Sequence, residues 1–232
     1  MGVGELAISD HRSSQPTLNE LLKIASEAHV ARLMTGKAGM LHLHLGDGER
    51  GLGLVREALS HAEIPARTYN PTHINRQRFL FEEACELAKQ GCWVDVTAFE
   101  TGDEGYEPAD ALLRYMEQDL PQNKLTISSD GGGCLPDFHA DGSLAKMDFA
   151  ESQSMTDIFY TLADAGHPIE AFLPFFTLNV AELMNFHNKG RIVIGADADI
   201  VIFDQHNRIE HVMALGQLHV KHKQQLQKGT FE

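Results

Sequence analysis

Apolar and polar positions fall into two alternating patterns along most of the chain. Short β-type runs occur at Leu6–Ser9, Met40–Leu45, Ala66–Tyr69, Cys92–Thr97 and Leu125–Ser129, with starts 26 to 34 residues apart. That spacing fits a strand, a loop and a helix, so it predicts successive βα units with a parallel sheet. Between the runs the apolar period lengthens. Thr17 to about Arg32 carries Leu18, Leu21, Leu22, Ala25 and Ala28 on one helical face, with Thr17 and Glu20 spaced as a capping box. Further helices are predicted at Leu52–Ser60, at Arg78–Gln90 closed by Gly91, and at Pro108–Leu120 stopped by Pro121. Ser152–Ala165 and Pro168 to about Asn185 are also helical in period.

Beyond Lys189 the helical period disappears. Arg191–Ile194, Asp199–Phe203, Ile209–Ala214 and Gln217–Lys221 are β-type runs parted by turn residues. They predict a small β appendage from about residue 188, giving portions 1–187 and 188–232. Five βα units do not close a barrel, which needs eight strands and about 250 residues. Two architectures stay open: a five-stranded open sheet, or the C-terminal part of a barrel. The apolar run almost at the first residue favours the second.

Composition narrows the function classes. The 232 residues carry a net charge of −14, which repels phosphate backbones and argues against nucleic acid. No apolar stretch approaches a membrane span, and the first residues lack the basic and apolar regions of a signal peptide. Three cysteines, Cys85, Cys92 and Cys134, fit a reducing cytoplasm. Thirteen histidines is a high count for the commonest metal-ligating side chain.

In parallel α/β folds the functional groups gather at the C-terminal ends of strands. Here those ends are Ser9-Asp10-His11-Arg12, His42-Leu43-His44, Asn70 to Arg76, Asp95-Val96-Thr97 and Ser128-Ser129-Asp130. His44, His73 and Asp130 would form an N,N,O set suited to zinc. His42, two residues from His44, points the same way and suits a supporting role. Asp47 fits a loop or helix-capping position. Gly131–Gly133 is a weak phosphate-loop candidate, because no Lys-Ser/Thr follows it. His139, His167, His187, His206, His211, His219 and His222 fall on helices, loops or the appendage and are expected at the surface. No Gly-x-Ser-x-Gly elbow is present. Cys85 and Cys92 are expected as packing residues, and Cys134 as a wall of the site.

Ala7-Ile-Ser-Asp-His-Arg-Ser13, His44-Leu-Gly-Asp47, Pro71-Thr-His-Ile-Asn-Arg76, Ser128-Ser-Asp-Gly131, Gly195-Ala-Asp-Ala-Asp-Ile200 and Lys228-Gly-Thr-Phe-Glu232 resemble, in order, the isoaspartyl dipeptidases of the amidohydrolase superfamily. The resemblance spans essentially the whole chain, although Gly-Ala-Asp-Ala-Asp by itself indicates only the superfamily. It implies a partial (β/α)8 TIM barrel with the C-terminal strands of a small β-sandwich domain, and two zinc ions in a complete site. The implied reaction is hydrolysis of β-aspartyl dipeptides by a metal-activated water, in a homo-oligomer when full-length.

By motif match His44 and His73 would ligate the second zinc. Asp130 would ligate the first and act as general base and acid. Arg12 and Arg76 would hold substrate carboxylates. Three departures accompany the match. Glu5 stands where many members have a carbamylated lysine, and is the candidate bridging ligand. Cys134 stands at a substrate-binding serine. The strands carrying the first metal's His-x-His lie outside the match, so the chain is expected to be an N-terminally truncated form of low or no activity by itself. Two other readings remain: a non-catalytic metal-binding or assembly fragment, and an amidohydrolase for another amide, such as a dihydroorotase-like substrate.

Overall fold

The computed structural model describes residues 2–139 and 141–229. The expected alternation is present: β1 (Val3–Ser9), α1 (Leu18–Thr35), β2 (Leu41–Leu45), α2 (Gly53–His61), β3 (Tyr69–Thr72), α3 (Arg78–Lys89), β4 (Val94–Thr97), α4 (Pro108–Met116) and β5 (Leu125–Ser128). Strands β1, β2 and β3 form one parallel sheet in chain order, and β4 pairs with β5 in parallel. The Trp93 N–H donates to the Tyr69 carbonyl at 3.1 Å, tying the start of β4 to β3.

Side-chain alternation sets what each sheet face does. Leu41, Leu43 and Leu45 of β2 are fully buried, and they share one core with Leu21 and Ala25 of α1 and Val55 and Ala58 of α2. His42 and His44 point to the opposite face. Burying each such leucine contributes roughly 1.5–3 kcal/mol, so the helix-facing side fixes the register of the polar side. The capping box at α1 forms, with the Thr17 N–H donating to Glu20 Oε2 at 2.7 Å. The helix runs to Thr35 and closes on left-handed Gly36. Gly91 closes α3 with φ +99°.

Several local expectations need correction. Residues 66–68 form a 3-10 turn, not a strand. Pro65 feeds that turn and accepts from the Thr68 N–H, so the strand starts at Tyr69. The segment after Pro168 is two helices, α6 (Ile169–Phe176) and α7 (Leu178–Leu183), which follow α5 (Gln153–Asp164). Pro174 lies inside α6 and lacks an N–H, and the helix breaks at Thr177, three residues on. An antiparallel hairpin, β6 (Cys134–Phe138) and β7 (Leu144–Phe149), stands between β5 and α5 where no strand was expected. Every residue of β7 is exposed, so it lacks the half-buried alternation that marks a strand in sequence.

The C-terminal part is a four-stranded antiparallel sheet of β8 (Ile200–Phe203), β9 (Ile209–Ala214), β10 (Gln217–Lys221) and β11 (Gln224–Gln225). Arg191–Ile194 is apolar but has no strand partner, and Ile192 and Ile194 are exposed. The sheet docks on α5. Phe203 stacks on Phe159 with centroids 4.8 Å apart, and Arg208 grips Asp164 at 2.6 and 3.0 Å. Of the Lys228–Glu232 run, residues 230–232 lie outside the described residues. No described helix is long and apolar enough to cross a membrane.

Candidate functional site

One carboxylate oxygen lies at the meeting point of two imidazoles. Glu5 Oε1 is 3.0 Å from His44 Nδ1 and 3.0 Å from His73 Nε2, and the two rings meet edge to face at 4.7 Å. Three local features bring them together. Glu5 lies on the same face of β1 as Ala7, and Ala7 is in register with His44 of β2. His73 follows β3 in a left-handed conformation, φ 62°, which turns its side chain back over the strand ends. Asn75, fully buried, then pins the following turn by hydrogen bonds to Thr97 and Tyr106.

The outer nitrogen of each ring is also engaged. His44 Nε2 meets Asp10 Oδ2 at 3.0 Å, and His73 Nδ1 meets Thr97 Oγ1 at 2.8 Å. Metal-ligating histidines carry this kind of outer partner, which aims the inner nitrogen. Two nitrogens and a carboxylate oxygen converging on one point therefore suit a divalent cation such as zinc.

The electrostatics agree. Burial opposes the charge on Glu5, but the imidazoles of His44 and His73 beside it outweigh that and hold the carboxyl well below the usual range. Burial likewise opposes a charge on His44, yet the carboxylates of Glu5 and Asp10 raise its pKa. His73 is lowered, chiefly by burial against the pull of Glu5, with the charges of Arg76 and His44 adding to the effect.

Glu5 and His44 line a cavity of about 1110 Å³ together with Arg12, Arg76, Asp130 and Cys134, while His73 is buried. Arg76 is half-buried, with its guanidinium over the Phe99 ring at 5.2 Å. Among the described residues its guanidinium has no hydrogen-bond or ion-pair contact, while its backbone N–H donates to the His73 carbonyl at 3.0 Å. Arg12 differs, because its Nε and Nη2 grip both oxygens of buried Asp10 at 2.9 and 2.6 Å, leaving only part of its fork for a ligand. Asp130, at φ 53°, lies on the cavity wall outside the Glu5–His44–His73 cluster.

Gly131–Gly133 is no phosphate loop, because each of its N–H groups is already spent, on Ser129 Oγ, the Ala150 carbonyl and the Asp130 carbonyl. A Cβ at Gly133 would lie 2.5 Å from Asp130 Oδ1, so glycine there makes room for that carboxylate. Cys134 starts the hairpin wall, together with Leu135, Pro136, Phe138 and Phe149. Of that wall the sequence singled out Cys134 alone, and it did not single out Asp10, Thr97 or Asn75. Asp10 and Thr97 stand at strand ends, which was the available signal.

Two other groups of ligand-type side chains are satisfied among themselves. Asp10, His11 and Asp47 meet beside Arg12, whose fork already occupies Asp10. His211 and His222, expected at the surface, meet at Glu210. There the His222 N–H donates to His211 Nδ1 at 3.3 Å, and His222 Nδ1 lies 3.3 Å from Glu210 Oε1. The His42 ring is engaged away from the cluster, with its Nδ1 2.7 Å from Asn70 Oδ1.

Parallel strands that alternate with helices, with His44 and His73 near strand ends beside Glu5, make a partial TIM-barrel-like α/β architecture with a candidate metal cluster. Residues 3–222 match the amidohydrolase family, and the chain belongs to it. The structure is similar to beta-aspartyl dipeptidase from Fervidobacterium islandicum AW-1, solved in complex with beta-Asp-Leu dipeptide. The TM-score is 0.91 with 36% identity, over 99% of this chain and 60% of that one. A second structure of beta-aspartyl dipeptidase from that organism gives a TM-score of 0.86 with 34% identity, over 99% of this chain and 58% of that one. An allantoinase of Rubrobacter xylanophilus is 25% identical over an alignment of 229 residues that covers 92% of this chain and 44% of that protein. The chain thus spans about half to three-fifths of the length of these relatives.

Proposed function

We propose that this chain carries the C-terminal part of a zinc-dependent β-aspartyl dipeptidase site. Residues 1–187 would supply barrel units and residues 188–232 part of a small β-sandwich domain. The observation that carries the reading is Arg76, a half-buried guanidinium with no carboxylate in ion-pair contact, which lines the same cavity as Glu5 and His44. Such a group calls for a planar anion from the ligand. A β-aspartyl dipeptide offers two carboxylates, the aspartyl α-carboxylate and the C-terminal one, and Arg76 and Arg12 are the two guanidiniums that face them.

Glu5, His44 and His73 would hold one zinc ion, and Asp130 would help hold the other. Bound zinc lowers the pKa of water and polarises an amide carbonyl. The rest of the chemistry falls to this chain's own groups. The Asp130 carboxylate accepts the proton of the attacking water and passes it to the departing amine nitrogen. Asp10 keeps the outer nitrogen of His44 occupied and Thr97 that of His73. The β6–β7 hairpin walls the cavity and limits its water. The Cys134 thiol, a weak hydrogen-bond partner, faces the ligand in place of a hydroxyl.

The test is calorimetric titration of the zinc-supplemented chain with β-Asp-Leu, with release of leucine followed in parallel. The expected result is saturable binding that weakens at least tenfold in Arg76→Met. Equal binding by that variant, or a preference for allantoin over the dipeptide, would point to the other amidohydrolase reading.

A further inference from the structure

We propose that Asp95 is a positioning residue that fixes the proton of His73 on Nδ1 through the hydroxyls of Thr72 and Thr97. All four side chains are buried, at 3% exposure or less. Asp95 and Thr97 alternate on β4 and point to one face, as do Thr126 and Ser128 of β5. The carboxylate of Asp95 receives three hydroxyls: Thr72 at 2.7 Å and Ser128 at 2.6 Å on Oδ2, and Thr126 at 2.6 Å on Oδ1.

The direction of each further bond follows from the one before it. A carboxylate only accepts, so Thr72 spends its single proton on Asp95. Thr72 Oγ1 can then only accept from Thr97 Oγ1, which lies 3.2 Å away. Thr97 in turn has no proton left for His73, 2.8 Å away, and must accept from Nδ1. Nδ1 therefore carries the hydrogen, and the neutral ring presents a bare Nε2 to Glu5 Oε1. Two acceptors 3.0 Å apart repel unless a cation lies with them. The arrangement holds His73 in its ligating tautomer before any ion arrives. The effect on cation affinity rests on the zinc reading above; the tautomer does not.

The experiment is long-range ¹⁵N–¹H NMR of the metal-free full chain with labelled histidines, His73 being assigned from the spectrum of His73→Gln. Wild type should show a protonated Nδ1. Thr97→Val removes the link and should give mixed or reversed tautomers, whereas Thr97→Ser should keep the wild-type pattern. Asp95→Asn, whose amide can also donate, should mix the tautomers; if it fails to fold, the Val/Ser pair at Thr97 carries the test alone. Zinc affinity should fall tenfold to a hundredfold in Thr97→Val and stay within about threefold of wild type in Thr97→Ser. A bare Nδ1 in wild type, or an unchanged tautomer in Thr97→Val, would overturn the proposal. A shifted tautomer with zinc affinity unchanged, in Glu5→Gln as well, would leave the relay standing and remove the zinc reading instead.

Discussion

Asn75 holds the peptide of Thr97 from both sides: its Nδ2 donates to the Thr97 carbonyl at 3.0 Å, and its Oδ1 accepts the Thr97 N–H at 2.9 Å. Asn75 also donates to the Tyr106 carbonyl at 3.3 Å. The turn that carries His73 and Arg76 is thereby fastened to the end of β4, where Thr97 meets His73. Asn75→Ala should strand these buried partners at a cost of about 2–4 kcal/mol, read as a lower denaturant midpoint. Zinc affinity should fall with it, because the turn and the strand end lose their common fastening. Full stability in Asn75→Ala would mean that the turn is held elsewhere.

Acid should separate the two roles of Asp10. The fork of Arg12 is the main cause holding the Asp10 carboxyl far below its ordinary range, with burial opposing and His44 assisting. A depressed carboxylate contributes stability that is complete above its unfolded pKa of about 4 and is lost as pH falls toward its folded value. The gap in Tm between wild type and Arg12→Met should therefore be widest above about pH 4 and narrow below it. A gap that stays constant from pH 6 to pH 2 would show that Arg12 stabilises by packing and not through its ion pair.

The helix-facing half of the structure was legible in the sequence, and the inward half only in part. Leu41, Leu43 and Leu45 alternate with His42 and His44, so period and polarity together marked a strand with ligand-type side chains on its free face. His73 could be found because it ends the next unit. Glu5 was placed only by motif register, since a glutamate in the first strand looks like a solvated terminus. Asp10, Asp95, Thr97 and Asn75 were not singled out, because a polar residue buried among hydrogen-bond partners has the same letter as one in water. The hairpin at Cys134–Phe149 and the unpaired run Arg191–Ile194 fail in opposite ways. The first pairs without a buried face, and the second is apolar without a partner strand. Pairing is a tertiary fact in both cases.

The docking of the C-terminal sheet on α5 rests on few groups. Phe203 stacks nearly parallel on Phe159, at an interplanar angle of 9°. Phe203→Ala should remove about 1–3 kcal/mol of stability, since the ring is half-buried and its partner stays in the core. Asp164→Ala removes the exposed grip on Arg208 and should leave stability close to wild type, because solvent screens such a pair. Limited proteolysis should then cut within residues 185–199 faster in Phe203→Ala than in Asp164→Ala. Equal rates would assign the docking to other contacts.

Glycine at position 46 is required by the site and not by the backbone. A Cβ there would fall 2.0 Å from Asp10 Oδ2, 2.4 Å from its Cγ and 2.5 Å from its Cβ. The carboxylate that binds Arg12 and His44 would have to move, and the local backbone is fixed by the Gly46 N–H donating to the Ser9 carbonyl at 2.8 Å. Gly46→Ala should cost about 1–3 kcal/mol as overpacking and also release the outer nitrogen of His44, so zinc affinity falls. Gly36 supplies the contrast. It closes α1 at φ +66° with open space where a Cβ would go. Gly36→Ala should therefore cost about 1–2 kcal/mol of backbone strain and leave zinc affinity at the wild-type value. Denaturant melts and zinc titrations on the two variants check both halves: comparable stability losses with affinity reduced only in Gly46→Ala is the expected pattern, and unchanged affinity in Gly46→Ala would detach Asp10 from the metal cradle.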